Sequence, residues 1–469
     1  TIDTQRPSVG LSSAAPDPTN ASPILVTVTF SESVTGFTAA DITVANGTVA
    51  NLAGSGASYT FDLLPSGPGP VTAEIAAGVA QDAAGNPNTA AAPLSRTYDS
   101  IAPSVTVEQA ASQADPAGVA PINFTVVFDE PVTGFGDSPA DMSIGGTAGA
   151  TTATVTGSGT TYNVAISGMT RDGTVVVTIP AGAAQDQASN PNTASTSADN
   201  TVVFDPIGPV VTGIVRGDPS PTNATSVRFT VTFSKPVTGV DASDFALVTS
   251  GEVSGASVAG VAGGGATWTV TVTTGAGEGT IRLDLIDDDT IVDAAANPLG
   301  GSGAGNGDFR TGEAYTIDRT APTAGGLATP PVIGGSTTFS FTVVFSDNLA
   351  IDVRSLDGSD IRVSGPNGFS QLAALVSVSP AGEGTPRTAT YQITPPGGAW
   401  DTSANGSYTV SLEAAQIFDA AGNPVAAAEL GSFQVSLRHT TYLPLVGSAD
   451  RPAQKTERSA ASGPARPRA

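Results

Sequence analysis

A six-residue phrase, Asp82-Ala83-Ala84-Gly85-Asn86-Pro87, returns three times along the chain, as Asp186-Gln187-Ala188-Ser189-Asn190-Pro191, Asp293-Ala294-Ala295-Ala296-Asn297-Pro298 and Asp419-Ala420-Ala421-Gly422-Asn423-Pro424. The copies lie 104, 107 and 126 residues apart. A solenoid repeats every ~20–50 residues, whereas these intervals are the size of a small domain. Four tandem units are therefore expected. Each opens with an apolar or aromatic residue, an Asp and, a few positions on, a Pro: Ile2-Asp3 to Pro7, Tyr98-Asp99 to Pro103, Phe204-Asp205 to Pro209, Ile317-Asp318 to Pro322. Proline fixes its own φ and confines its predecessor to extended backbone, so these junctions read as short, semi-rigid linkers. The expected boundaries are 1–99, 100–206, 207–319 and 320–438, with 439–469 as a separate tail.

Within a unit the periodicity is that of strands. In the first, apolar residues alternate with Thr over 24–30, matched by 124–128, 227–233 and 339–345. This pattern puts one face on a core and the other in water, and makes Phe30, Phe128, Phe233 and Phe345 core aromatics. Further strands are expected at 8–12, 42–45, 48–52, 58–64, 71–76 and 93–98. Gly (55) and Pro (35) together form about a fifth of the chain, as many turns require. Seven short strands per unit without a helical period predict an all-β chain of four immunoglobulin-like sandwiches in an extended string, with a Greek-key barrel as the alternative. Residues 439–469 lose the strand pattern and are expected to be disordered. They carry a net charge of +3, against −27 for the rest.

The inventory excludes several kinds of function. A net charge of −24 opposes binding of nucleic acid through its phosphates. With no Cys there is neither a disulfide framework nor a thiolate metal site, and no apolar run is long enough to span a membrane. His439 is the single His, so no unit can build a Ser-His-Asp triad or a His-based zinc centre. Lys235 and Lys455 are the only lysines, too few for internal Lys–Asn isopeptide staples. Paired carboxylates could serve a glycosidase, but their recurrence at linkers points to architecture, and no enzyme is expected.

Phe30-Ser31-Glu32, Val34-Thr35-Gly36-Phe37, Asp41-Ile42 and the hexapeptide together resemble the bacterial Ig-like repeats of large surface adhesins and other exported cell-surface proteins, over roughly residues 1–438. The resemblance implies a non-enzymatic stalk or adhesin segment, extracellular or at the bacterial cell surface. It also implies calcium at junction carboxylates, as in some members. Tyr442-Leu443-Pro444-Leu445-Val446 is similar to a short terminal motif of some secreted bacterial proteins, and equally reads as one last strand. The chain opens at Thr1, inside a linker motif, and is read as part of a larger protein.

Counting strands with alternating direction brings the linker, the loop after the second strand and the hexapeptide loop to one pole. That gathers Asp3, Glu32 and Asp82 in the first unit, Asp99, Glu130 and Asp186 in the second, and Asp318, Asp347 and Asp419 in the fourth. Three converging carboxylates repel unless a cation joins them, and calcium, which takes six to eight oxygens, is the natural candidate. The alternative is that Asp82 and Asn86 only form an Asx turn, with Gly85 at positive φ and Pro87 starting the last strand. In the third unit Lys235 stands in the phase of Glu32 and Glu130, and its ammonium is expected close to Asp205 and Asp293. Asp287-Asp288-Asp289 is either a further cation site or a solvated loop. Trp268, Tyr59, Tyr162 and Tyr391 are placed in phase on one core-facing strand, while Trp400, in a Pro-Gly-Gly loop, is the better candidate for an exposed ligand contact. The other function considered is a carbohydrate- or protein-binding module attached to a secreted enzyme.

Overall fold

The computed structural model describes residues 2–439. The remainder of the tail, with its basic residues and the Tyr442–Val446 motif, lies outside the described residues. The chain is all-β: among the described residues strands form eight small sheets, and the only helical elements are short 3-10 turns.

In the first segment the strands are β1 (Val9–Ser12), β2 (Ile24–Val34), β3 (Ile42–Ala45), β4 (Gly47–Pro65), β5 (Gly69–Ile75) and β6 (Leu94–Tyr98). They make two antiparallel sheets, β1-β2-β4 and β3-β5-β6. Along β2, Ile24, Val26, Val28 and Phe30 are buried while Leu25 and Thr29 face water. The buried set packs in one core with Phe61 and Leu63 of β4 and Val71, Ala73 and Ile75 of β5. Burying each large apolar side chain contributes about 1.5–3 kcal/mol, which is how sandwiches without cysteine are held. A triangle of edge-to-face rings, Phe30, Phe37 and Tyr59, fills one end of this core at centroid separations of 5.3, 6.0 and 5.1 Å. Phe128, Phe135 and Tyr162 repeat it at 5.4, 5.9 and 5.0 Å.

The two-sheet plan recurs in the next three segments. Between 105 and 204, Val105–Gln109, Ile122–Val132 and Thr152–Ser167 form one sheet, and Ser143–Gly145, Gly173–Thr178 and Thr201–Phe204 the other. From Val211 to Ile317 the sheets have four and three strands, and from Thr323 to Val435 four each. By its contacts the chain separates into two compact units. One comprises the residues up to Pro219 with Thr225–Ala276 and Thr280–Tyr315; the other comprises Ser220–Ala224, Gly277–Gly279 and the residues from Thr316 on.

Three local expectations are corrected. The stretches 48–52 and 58–64 are one continuous element, β4, turned over at Gly54 and Gly56, whose φ values of +111° and +66° only glycine adopts without strain. Pro87 does not start the last strand: it bridges back to Gln81, and β6 begins at Leu94. Tyr391 is out of phase with the other three aromatics. Tyr59, Tyr162 and Trp268 sit opposite Val28, Val126 and Val231, but the place opposite Val343 is taken by Ala389, and Tyr391 pairs two residues along with Phe341.

Candidate metal centres

The hexapeptide is a turn built on its own side chains. Asp82 Oδ1 accepts the amides of Ala84 and Asn86, at 2.9 and 2.8 Å, and Oδ2 accepts the Asn86 side-chain amide at 2.8 Å. Asp186, Asp293 and Asp419 hold Asn190, Asn297 and Asn423 in the same way. These bonds hold Asp82 below the ordinary carboxylate range, the Asn86 side chain contributing most. The residue before the Asn has positive φ in every copy: Gly85 +87°, Ser189 +72°, Ala296 +61°, Gly422 +90°. The Asx-turn expectation thus describes the loop itself correctly. Because a Cβ is strained in this conformation, Ala296→Gly is expected to stabilise the protein by about 1 kcal/mol, read as a higher denaturant midpoint at unchanged m-value.

The same Asn side chain ties the turn to the linker by donating to the backbone carbonyl of Asp3, Asp99, Asp205 or Asp318. The linker is pinned from its other side too. The Asp99, Asp205 and Asp318 amides donate to the carbonyls of Thr19, Ala117 and Thr222, at 2.9, 2.9 and 3.1 Å. The loop after β2 joins through reciprocal backbone bonds between Thr35 and Gln81, copied by Thr133 with Gln185 and Thr238 with Val292. Three loops distant in sequence therefore meet at one pole.

The carboxylates converge as the strand count requires. In each of the groups Asp3, Glu32 and Asp82; Asp99, Glu130 and Asp186; and Asp318, Asp347 and Asp419, one oxygen per residue lies within 4.8 Å of the others. Burial together with the Asp82 and Asp3 charges pushes Glu32 above the usual carboxylate range, and burial with Asp186 and Asp99 does the same to Glu130. Asp318 is 1% exposed, and its carboxyl is pushed up by burial and by Asp347 and Asp419, against the opposing Asn348 hydrogen bond. Its Oδ2 and the Asp347 Oδ1 are buried without a hydrogen-bond partner. An Asx turn accounts for none of this. Carboxylate oxygens only, two of them unpartnered, form a donor set that suits a hard cation.

The remaining candidates fall elsewhere. Asp287 Oδ1 accepts the Asp289 amide and Oδ2 the Gly307 amide, and Asp289 accepts the Gly303 amide, so the acidic run braces the glycine-rich hairpin. Trp400 is not an exposed contact. It is 1% exposed, packed edge-on to Phe339 and Tyr408, because the chain entering the strand Gly406–Leu412 folds it over the core. Trp268 is half-buried and donates its indole N–H to Gly265 O. Two polar neighbours of the Asp318 group escaped the sequence reading. Asn348 donates to Asp318 Oδ1 at 3.1 Å, and Glu278 accepts the Thr320 hydroxyl at 2.6 Å and the Arg319 amide at 3.0 Å. Asn348 directly follows Asp347 and could have been noticed; Glu278, some 40 residues upstream of its partners, carried no signal.

Residues 3–98 match the family model described as Bacterial Ig-like domain. This segment is similar to a bacterial Ig-like domain. The match takes in a whole acid cluster, since Asp3, Glu32 and Asp82 all lie within it. Among solved structures, the chain aligns with invasin, described as a bacterial integrin-binding protein. The identity is 14% and the TM-score 0.35, over 92% of this chain and 79% of that one. The surface layer protein SbsC, domains 1–6, aligns at 14% identity and a TM-score of 0.21, over 91% of this chain and 54% of that one. No curated protein sequence matches the chain.

Proposed function

We propose that the chain is a non-enzymatic extracellular stalk or adhesin segment of four bacterial Ig-like domains, at 1–99, 100–206, 207–319 and 320–438, part of a larger bacterial surface protein. Calcium joins linker to domain at the three acid clusters. The observation that carries this is the convergence of Asp318, Asp347 and Asp419 with two buried oxygens left unpartnered. Buried like charges are held apart at a cost that a divalent cation removes. Asp3, Glu32 and Asp82, and Asp99, Glu130 and Asp186, repeat the donor set at two further linkers.

The alternative, a carbohydrate- or protein-binding module on a secreted enzyme, would favour exposed aromatic platforms. Among the described residues every Phe, Tyr and Trp is buried or half-buried, which supports the stalk. No described helix is long and apolar enough to cross a membrane. Protease shaving of intact producer cells is expected to release fragments of this chain, with cleavage at the linkers increased by a calcium chelator. A chain that resists protease on intact cells yet is cut after lysis contradicts the surface assignment.

A further inference from the structure

The junction between the strands Thr201–Phe204 and Val211–Arg216 has the same linker and turn as the other three, but a different centre. Lys235 Nζ donates to Asp205 Oδ1 and Oδ2 at 3.0 and 2.8 Å, to Asp293 Oδ2 at 3.0 Å and to the Ile207 carbonyl at 2.5 Å. We infer that the Lys235 ammonium is a built-in cation, standing at this junction where a divalent ion stands at the other three, so that the Asp205–Asp293 junction closes without calcium. The inference rests on the calcium reading above for what it says of those three.

The equivalence can be followed atom by atom. Residue 235 follows the strand Ser226–Phe233 by two positions, as Glu32 follows Phe30 and Asp347 follows Phe345. Asp293 is the hexapeptide Asp, and Asp205 the linker Asp. The linker backbone also has one shape at all four junctions. The amide two residues beyond the linker Asp donates back to its Oδ1, from Gln5 to Asp3, Ile101 to Asp99, Ile207 to Asp205 and Thr320 to Asp318, at 3.0, 3.0, 3.2 and 3.1 Å. The carbonyl that Lys235 reaches on Ile207 therefore has counterparts on Gln5, Ile101 and Thr320. Together these give an ion's oxygen set: the linker Asp, that carbonyl, the hexapeptide Asp Oδ2 and the Glu or Asp two residues beyond the core Phe, with water completing six to eight.

Charge separates the two kinds of junction. Asp293 is 5% exposed and its Oδ2 pairs with Lys235 Nζ at 3.0 Å, whereas in the other three groups the residue in the place of Lys235 is itself a carboxylate, Glu32, Glu130 or Asp347. One ammonium supplies a single fixed charge and three donors, and it repels a second cation. Of the four linkers, one would thus be closed permanently and three by an ion.

Hydrogen exchange of the full chain, with calcium and with EGTA, tests this at the amides of 205–208 and 293–297. In the natural sequence their protection is expected to be the same in both conditions, while the equivalent amides around Asp3, Asp99 and Asp318 lose roughly tenfold or more on chelation. Lys235→Met should lower protection at 205–208 by a similar factor in both conditions. Lys235→Glu should make it calcium-dependent. Chelator-sensitive exchange at 205–208 in the natural sequence overturns the inference, as does a Lys235→Glu junction indifferent to calcium. If no junction responds to chelation but Lys235→Met still loosens 205–208, the calcium reading fails and the ammonium closure stands. If Lys235→Met changes nothing, the closure itself is wrong.

Discussion

Calcium at a hundredfold excess over its dissociation constant is expected to stabilise the segment holding Asp318, Asp347 and Asp419 by about 2.7 kcal/mol against unfolding. The source of the effect is local. Asp318 and Asp419 are 1% and 2% exposed, and the unpartnered Asp318 Oδ2 and Asp347 Oδ1 have no hydrogen-bond donor to offset their burial. A ligand that binds only the folded arrangement adds its binding free energy to folding. Trp400 reports on this segment from within its core, and Trp268→Phe in the full chain makes it the sole tryptophan of the protein. Denaturant unfolding followed through Trp400 should shift to a higher midpoint with calcium, and Asp347→Asn should abolish most of the shift. Coincident curves with calcium and with EGTA would remove this cluster from the account.

The second large effect is a pH dependence in the same segment that owes nothing to metal. Asp360 is fully buried; its Oδ2 accepts the Tyr391 hydroxyl at 2.5 Å and the Asp357 amide at 2.7 Å, while Oδ1 has no partner. Burial pushes its carboxyl up to about 6, the Tyr391 and Asp357 bonds opposing only in part, and pushes the Tyr391 hydroxyl up as well. A carboxyl whose folded pKa lies above its unfolded value of 3.8 favours the fold in its protonated form. Its contribution is complete below the unfolded value and is lost as pH rises through about 6. Between pH 4 and pH 7 the segment should lose roughly 2–3 kcal/mol, and Asp360→Asn should flatten the profile. A profile unchanged by Asp360→Asn would show that the carboxyl is hydrated or paired.

The pole of each unit was legible in the sequence because it depends on strand parity and on short-range turn chemistry. Parity placed Glu32 beside Asp3 and Asp82, and Lys235 beside Asp205 and Asp293, without any distance being known. Register was legible only where residues sat in phase. Tyr391 was misplaced because a Tyr two residues further along a strand alternates identically, and only its pairing with Phe341 reveals the shift. Trp400 was misjudged because Pro395 to Gly398 reads as an exposed loop, while the indole that follows is drawn into the Phe339, Tyr408 and Phe433 cluster by its apolar area. The Asn348 and Glu278 contacts depend on side-chain reach, which periodicity does not encode.

The central claim is that three linker junctions take an ion and one carries its own. Equilibrium dialysis of the full chain against calcium, with the bound metal counted per chain, measures it directly. The account predicts three ions for the natural sequence and four for Lys235→Glu. No bound calcium, or four ions with Lys235 intact, would contradict it.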